Sequence, residues 1–186
     1  MADRFRVAAA PGGLRLVQEL LNTAAPKARS NSPDLLATPE RADAWMHGRG
    51  IPAGTVDTAA LRSLRDALRA ALVHREEGGP APSAGDGLLE APIAFRLSPD
   101  GSVHTPGASS GVTAVLERVL LAVHDAQLTG AWARLKVCRS PECRVAFWDQ
   151  SRNTNAVWHD SQTCGNIANL RASRARRKAG EQDNTP

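Results

Sequence analysis

Apolar positions along this chain fall into helical periods in four places. Leu14, Val17, Leu20 and Leu21 recur at three- to four-residue spacing and predict a first helix over 14–24. Thr38-Pro39-Glu40 then offers an N-cap, a proline where the missing N–H does no harm, and an acidic first-turn residue. It opens a second helix through Trp45 and Met46, ended by Gly48 and Gly50. The clearest stripe is Leu61, Leu64, Leu68 and Leu72 within 57–76, with Arg62, Arg65, Arg69 and Glu76 off it. A fourth helix over 111–128 puts Val112, Val115, Leu116, Val119, Leu120 and Val123 on one face, and Gly130 marks its end.

The connecting segments read differently. Residues 77–87, EGGPAPSAGDG, have turn and linker composition and predict a mobile surface loop. IAFRLSPDGSVHT alternates on either side of Pro99-Asp100-Gly101 and predicts a β-hairpin. From 132 onward the runs shorten: Leu135 to Cys138 and Arg144 to Trp148 suit two short strands flanking an RSPE turn. Asp149 to Trp158 is polar, part loop and part short helix. Gly165 to Lys178 predicts a basic helix ending at Ala179-Gly180, and 181–186 a disordered tail.

That last third holds the chain's chemistry. Cys138, Cys143, His159 and Cys164 give the pattern C-x4-C-x15-H-x4-C and include every cysteine present. Two close pairs separated by a hairpin-sized segment can wrap one tetrahedral Zn2+, for which thiolate and imidazole are both suitable donors. Four protein ligands leave no open position, so the metal is expected to be structural. An odd number of cysteines, without a signal-peptide pattern before them, argues against a disulfide framework.

Charge follows the same division. Residues 1–130 carry 13 Lys/Arg against 14 Asp/Glu, whereas 131–186 carry 10 against 5. Arginine outnumbers lysine heavily, a bias that also fits a GC-rich genome, so the location of the charge counts for more than its amount. A near-neutral body joined to a basic segment points to an anionic partner, DNA above all. The basic helix offers Arg171, Arg174, Arg176, Arg177 and Lys178, and Arg152 lies in the preceding turn. In an isolated helix, such cations also complement the C-terminal dipole. Trp148 and Trp158 are expected to pack over the zinc core. No apolar run approaches membrane-span length, so no membrane partner and a cytoplasmic location are expected. No nucleophile elbow, P-loop or dinucleotide fingerprint occurs, and His47, His74, His104 and His124 lack partners at catalytic spacing, so no enzyme activity is expected.

RLKVCRSPECRVAFWDQSRNTNAVWHDSQTCGNIANLRASRARRK resembles the CGNR zinc finger, in its first cysteine pair, its Phe147-Trp148-Asp149-Gln150-Ser151-Arg152-Asn153 turn and its closing Cys164-Gly165-Asn166. Two positions depart from that pattern. His159 stands where the family usually has its third cysteine, which moves the zinc site from about −2 to −1. Ile167 replaces the family's arginine. The N-terminal part is similar to the ABATE domain that precedes this finger in bacterial proteins, through Asn22-Thr23, the Trp45 to Gly48 helix end, Leu64-Arg65-Asp66-Ala67-Leu68 and the Pro99-Asp100-Gly101 hairpin. The resemblance implies a stress-induced transcription regulator. It also implies a polar pocket at Asn22, Thr23 and Arg65 suited to a small anionic effector.

The expected fold is α+β: a mostly helical N-terminal domain (1–130) with a small β-hairpin, then a small treble-clef-like zinc finger (131–180) ending in the basic helix. The expected function is DNA-binding transcriptional control with one structural zinc, and a homodimer would compensate for the short reading surface of one helix. A zinc-stabilised protein-interaction module is the alternative. A zinc nuclease using His159, Asn153 and Asn166 is disfavoured by the filled ligand set.

Overall fold

The computed structural model describes residues 5–27, 32–78, 89–105 and 109–182, the last five of these by backbone alone. The predicted linker at 77–87 therefore falls mostly outside the described residues, as do 183–186 of the predicted tail and the side chain of Lys178.

Among the described residues, four helices make the body: α1 (Leu14–Leu21), α2 (Pro39–His47), α3 (Thr58–Glu77) and α4 (Gly111–Leu128). Their ends follow the sequence chemistry. The Thr38 hydroxyl accepts from Arg41 N–H at 3.4 Å with Pro39 in the first turn of α2, and the Asp57 carboxylate accepts from Ala59 and Ala60 N–H, both at 2.9 Å, at the start of α3. Leu14, Val17, Leu20 and Leu21 of α1 meet Leu61, Leu64, Leu68 and Leu72 of α3 in one core, with Trp45 and Met46 of α2 above it.

The packed face of α4 is shifted from the predicted one. Ala114, Val115, Val119, Ala122 and Ala126 are buried, while Val112, Leu116 and Val123 sit at the margin of the core. The reason is close approach: a Cβ built on Gly13 would lie 2.8 Å from the Ala122 Cβ. Small residues let α1 start directly against α4, and the larger apolar residues are displaced sideways.

Strands β1 (Arg96–Leu97) and β2 (Val103–His104) form the predicted hairpin, paired Arg96 to His104 and Leu97 to Val103, and exposed on both strands. After a single-turn 3-10 helix at Ala131–Arg134 come β3 (Leu135–Val137) and β4 (Ala146–Trp148), antiparallel with Val137 opposite Ala146 and Lys136 opposite Phe147. A π-helical turn at Ser161–Gly165 leads into α5 (Asn166–Gln182), whose backbone continues past the predicted stop at Ala179-Gly180.

The hydrophobic core does not stop at residue 130. Leu135, Val137 and Ala146 belong to the same buried cluster as α1, α3 and α4. Strand alternation explains this: one face of the β3–β4 hairpin turns toward the helices, while Lys136 turns the other way. Polar contacts reinforce the seam. Arg75 of α3 donates to Trp132 O at 2.8 Å and Leu135 O at 2.6 Å, and Glu77 pairs with Arg144 at 2.7 Å. Trp148 packs against this shared core rather than over the cysteines.

Candidate metal centre and basic helix

The four predicted ligands converge. Each offers one donor atom, and these atoms all lie within 4.8 Å of one another. The His159 ring presents Nδ1, which is 3.3 Å from Cys143 Sγ and 3.6 Å from Cys164 Sγ. Tetrahedral Zn2+ with three sulfurs and one nitrogen needs donor separations of about 3.6–3.8 Å, close to those seen here, and the donor chemistry is that of a zinc site.

Local folding brings each ligand in. Cys138 follows β3 and extends the ladder, its N–H donating to Val145 O at 2.9 Å. Ser140 O accepts from Cys143 N–H at 2.9 Å and Arg144 N–H at 3.1 Å, which closes the knuckle turn under the second cysteine. Asp160 caps the π turn: its carboxylate accepts from Gln162 N–H at 2.8 Å and Thr163 N–H at 3.2 Å, while its carbonyl takes Cys164 N–H at 3.0 Å. The last ligand thus lies in the turn from which α5 emerges. A Cβ on Gly165 would come within 3.3 Å of the Trp158 ring, so the glycine after Cys164 lets the indole pack close against this turn beside the cysteines.

Without a cation the sulfurs compete for protons. A hydrogen bond from Cys143 pulls the Cys138 thiol down to about 4, and the same bond, with burial, drives Cys143 up. Burial first, then the nearby Cys138 charge, raises Cys164 as well. A divalent cation removes that competition by stabilising all three as thiolates.

Sequence reasoning missed several residues around the centre. Phe5 is buried among Cys138, Cys143, Val145 and Cys164, with Val7 and Trp158 beside it. The N-terminal segment therefore crosses onto the zinc core and is fastened there by Gln18, which accepts from Ala10 N–H at 2.7 Å and donates to Ala8 O at 2.9 Å. A phenylalanine far from the ligands in sequence carries no local signal of this role.

The turn after β4 is held by buried charge. Asp149 and Lys136 pair at 3.0 Å with side-chain exposures of 0% and 6%. The Asp149 carboxylate also accepts from Ser151 N–H at 2.8 Å and Ala156 N–H at 2.9 Å. Lys136 also donates to Thr154 O at 2.7 Å, and Arg134 to Asp149 O at 3.0 Å and Ser151 O at 2.9 Å. Two cations from one side of the hairpin thus stitch down the loop that leads to His159.

The predicted nucleic-acid residues, apart from the undescribed Lys178 side chain, share exposure. Arg152, Arg171, Arg174, Arg176 and Arg177 are all exposed, and among the described residues none has a carboxylate partner. At 100° per residue, Ile167, Leu170, Arg171, Arg174 and Arg177 share one side of α5. Ile167 is 49% and Leu170 58% exposed.

The three predicted effector residues divide. Thr23 and Arg65 meet at 3.1 Å, and Arg65 is buried, contrary to its predicted place off the α3 stripe. Its charge is matched by Asp34, both of whose carboxylate oxygens it reaches, at 3.0 and 2.8 Å. Asn22 points elsewhere: its amide donates to Ala146 O and accepts from Ala146 N–H, both at 2.9 Å. It acts on the free edge of β4 as a neighbouring strand would.

A closed site of three cysteines and one histidine, carried on a helical body that shares its core, defines a zinc-finger protein with one structural zinc. A family model described as "CGNR zinc finger" matches residues 134–177. Another, ABATE, described as "Putative stress-induced transcription regulator", matches residues 14–137, and the chain belongs to this family. The two matches overlap at 134–137, the residues that enter and form β3. Comparison with curated proteins gives no match.

Proposed function

We propose that the chain is a zinc-dependent transcription regulator that contacts DNA through α5. One observation carries the reading: the helix leaves the zinc centre with an exposed face of Arg171, Arg174 and Arg177, no neutralising acid within residues 166–177, and Ile167 and Leu170 between the cations. Guanidinium groups on such a face suit phosphates and guanine edges, and apolar side chains suit thymine methyl groups. Arg152 extends the basic surface onto the turn before His159. In this reading the helical body, residues 1–130, holds the finger, residues 131–180, through their common core. One short helix reads few base pairs, so a second copy on an adjacent half-site fits the geometry of DNA. Asn22, Thr23 and Arg65 enter the proposal as parts of the frame, because their polar groups are engaged within the protein.

Selection of fragmented genomic DNA on the zinc-loaded chain at near-physiological salt tests this. The expected result is enrichment of a few fragments, lost with Cys164→Ser and weakened by Arg174→Ala with Arg177→Ala. Five phosphate contacts would give a slope of about −4.5 for log affinity against log salt. Recovery indifferent to both arginine substitutions would refute the role of α5. The exposed Ile167 and Leu170 would serve equally in a second reading, a protein-interaction module. Absence of DNA recovery together with a co-purifying acidic protein would select it.

A further inference from the structure

A cleft of about 470 Å3 lies between α1, the end of α2 and α4. Arg15, Arg49 and Arg118 line it, one from each of the three regions, together with Glu19 and Leu16. Among the described residues Glu19 is its one carboxylate, and both oxygens are already used: Oε1 pairs with Arg15 Nε at 3.0 Å and Oε2 with Arg49 Nε at 2.7 Å. Arg118 donates to Gly50 O at 3.1 Å and has no carboxylate partner among the described residues. The lining therefore carries two uncompensated positive charges.

The cleft is organised rather than a chance meeting of surface arginines. Arg49 has a side-chain exposure of 12%, lies 4.4 Å over the Trp45 ring, and donates to Trp45 O at 2.8 Å. The Trp45 ring and carbonyl, with Glu19, therefore hold its guanidinium in place. Burial lowers the pKa of Arg49, Glu19 opposes that, and the neighbouring Arg15 adds to the lowering, so a further anion would stabilise its charged form. The volume is in the range of small-molecule sites, and forked guanidinium donors match planar carboxylates and phosphates.

We propose that this cleft binds a small organic anion bearing a phosphate or more than one carboxylate. The proposal is independent of the DNA reading. It places the ligand on α1, whose Gln18 and Asn22 hold the N-terminal segment and β4 of the finger on another side. The site is separate from Asn22, Thr23 and Arg65.

Calorimetric titration of the full zinc-loaded chain with pyrophosphate, and separately with citrate, tests it at near-physiological salt. The expected result is one saturable site, weakened at least tenfold by Arg118→Ala and further by adding Arg15→Gln. Arg174→Ala with Arg177→Ala should leave that affinity unchanged while DNA recovery falls. Tighter binding of pyrophosphate would assign a phosphate ligand, and tighter binding of citrate a polycarboxylate. Absence of saturable binding with either probe would overturn the proposal. So would an affinity that responds to the α5 substitutions and not to Arg118→Ala.

Discussion

Asp149→Ala provides a demanding test of how the finger is held. The substitution leaves the Lys136 ammonium, 6% exposed, facing only carbonyl oxygens, and it strips the acceptor from the N–H groups of Ser151 and Ala156. Removing one member of a buried ion pair costs about 3–5 kcal/mol. For a chain of this length that lowers Tm by about 6–20 °C. Lys136→Met should cost less, because the carboxylate keeps its backbone N–H donors. Thermal unfolding of zinc-saturated protein, followed by near-ultraviolet circular dichroism, would measure both. Burial raises the Asp149 carboxyl, but hydrogen bonds from Ser151 and Lys136 and from the backbone outweigh it and hold the group at about 2, below the ordinary 3.8. A folded-state value below the unfolded one means stability fully present above about pH 4 and lost as pH falls toward 2, worth about 2 kcal/mol. The advantage of the native chain over Asp149→Asn should shrink across that window. A loss below about 1 kcal/mol for Asp149→Ala, with zinc retained, would refute the idea that this pair fastens the loop.

Two further outcomes follow from contacts outside the ligand set. Asn22→Ala strips Ala146 N–H of its acceptor and leaves Ala146 O only the longer bond from Gln18 Nε2 at 3.5 Å, and should destabilise the chain by about 1–3 kcal/mol in urea unfolding; a loss near zero would mean that water replaces the amide freely. Phe5→Ala opens the apolar cover over Cys138, Cys143 and Cys164 and should speed zinc transfer to a competing chelator severalfold, whereas an unchanged rate would show that the N-terminal segment does not guard the metal.

Much of this architecture was legible because the signals are local. The Leu61, Leu64, Leu68 and Leu72 stripe, the Thr38-Pro39 helix start and the strands beside the first cysteine pair each depend on residues a few positions apart. The zinc ligands were legible for a chemical reason, since few residue types bind the metal and their spacing is constrained. What escaped depends on distant partners. Arg65 looks like a surface residue until Asp34, 31 positions away, is folded against it. Asn22 looks like a helix end until β4 arrives 124 positions later. The shift in the packed face of α4 follows from the contact between Gly13 and Ala122, which no periodicity within α4 encodes. Nor does any local pattern show that β3 completes the helical core and delivers the first zinc ligand just past its end.

Zinc-edge X-ray absorption on the purified, zinc-loaded chain reads the ligand set itself. Three sulfurs at about 2.3 Å and one imidazole nitrogen at about 2.0–2.1 Å are expected, with the imidazole scattering lost in His159→Ala. Fewer than three sulfurs, or an imidazole signature that survives His159→Ala, would overturn the assignment of Cys138, Cys143, His159 and Cys164 as one closed zinc site.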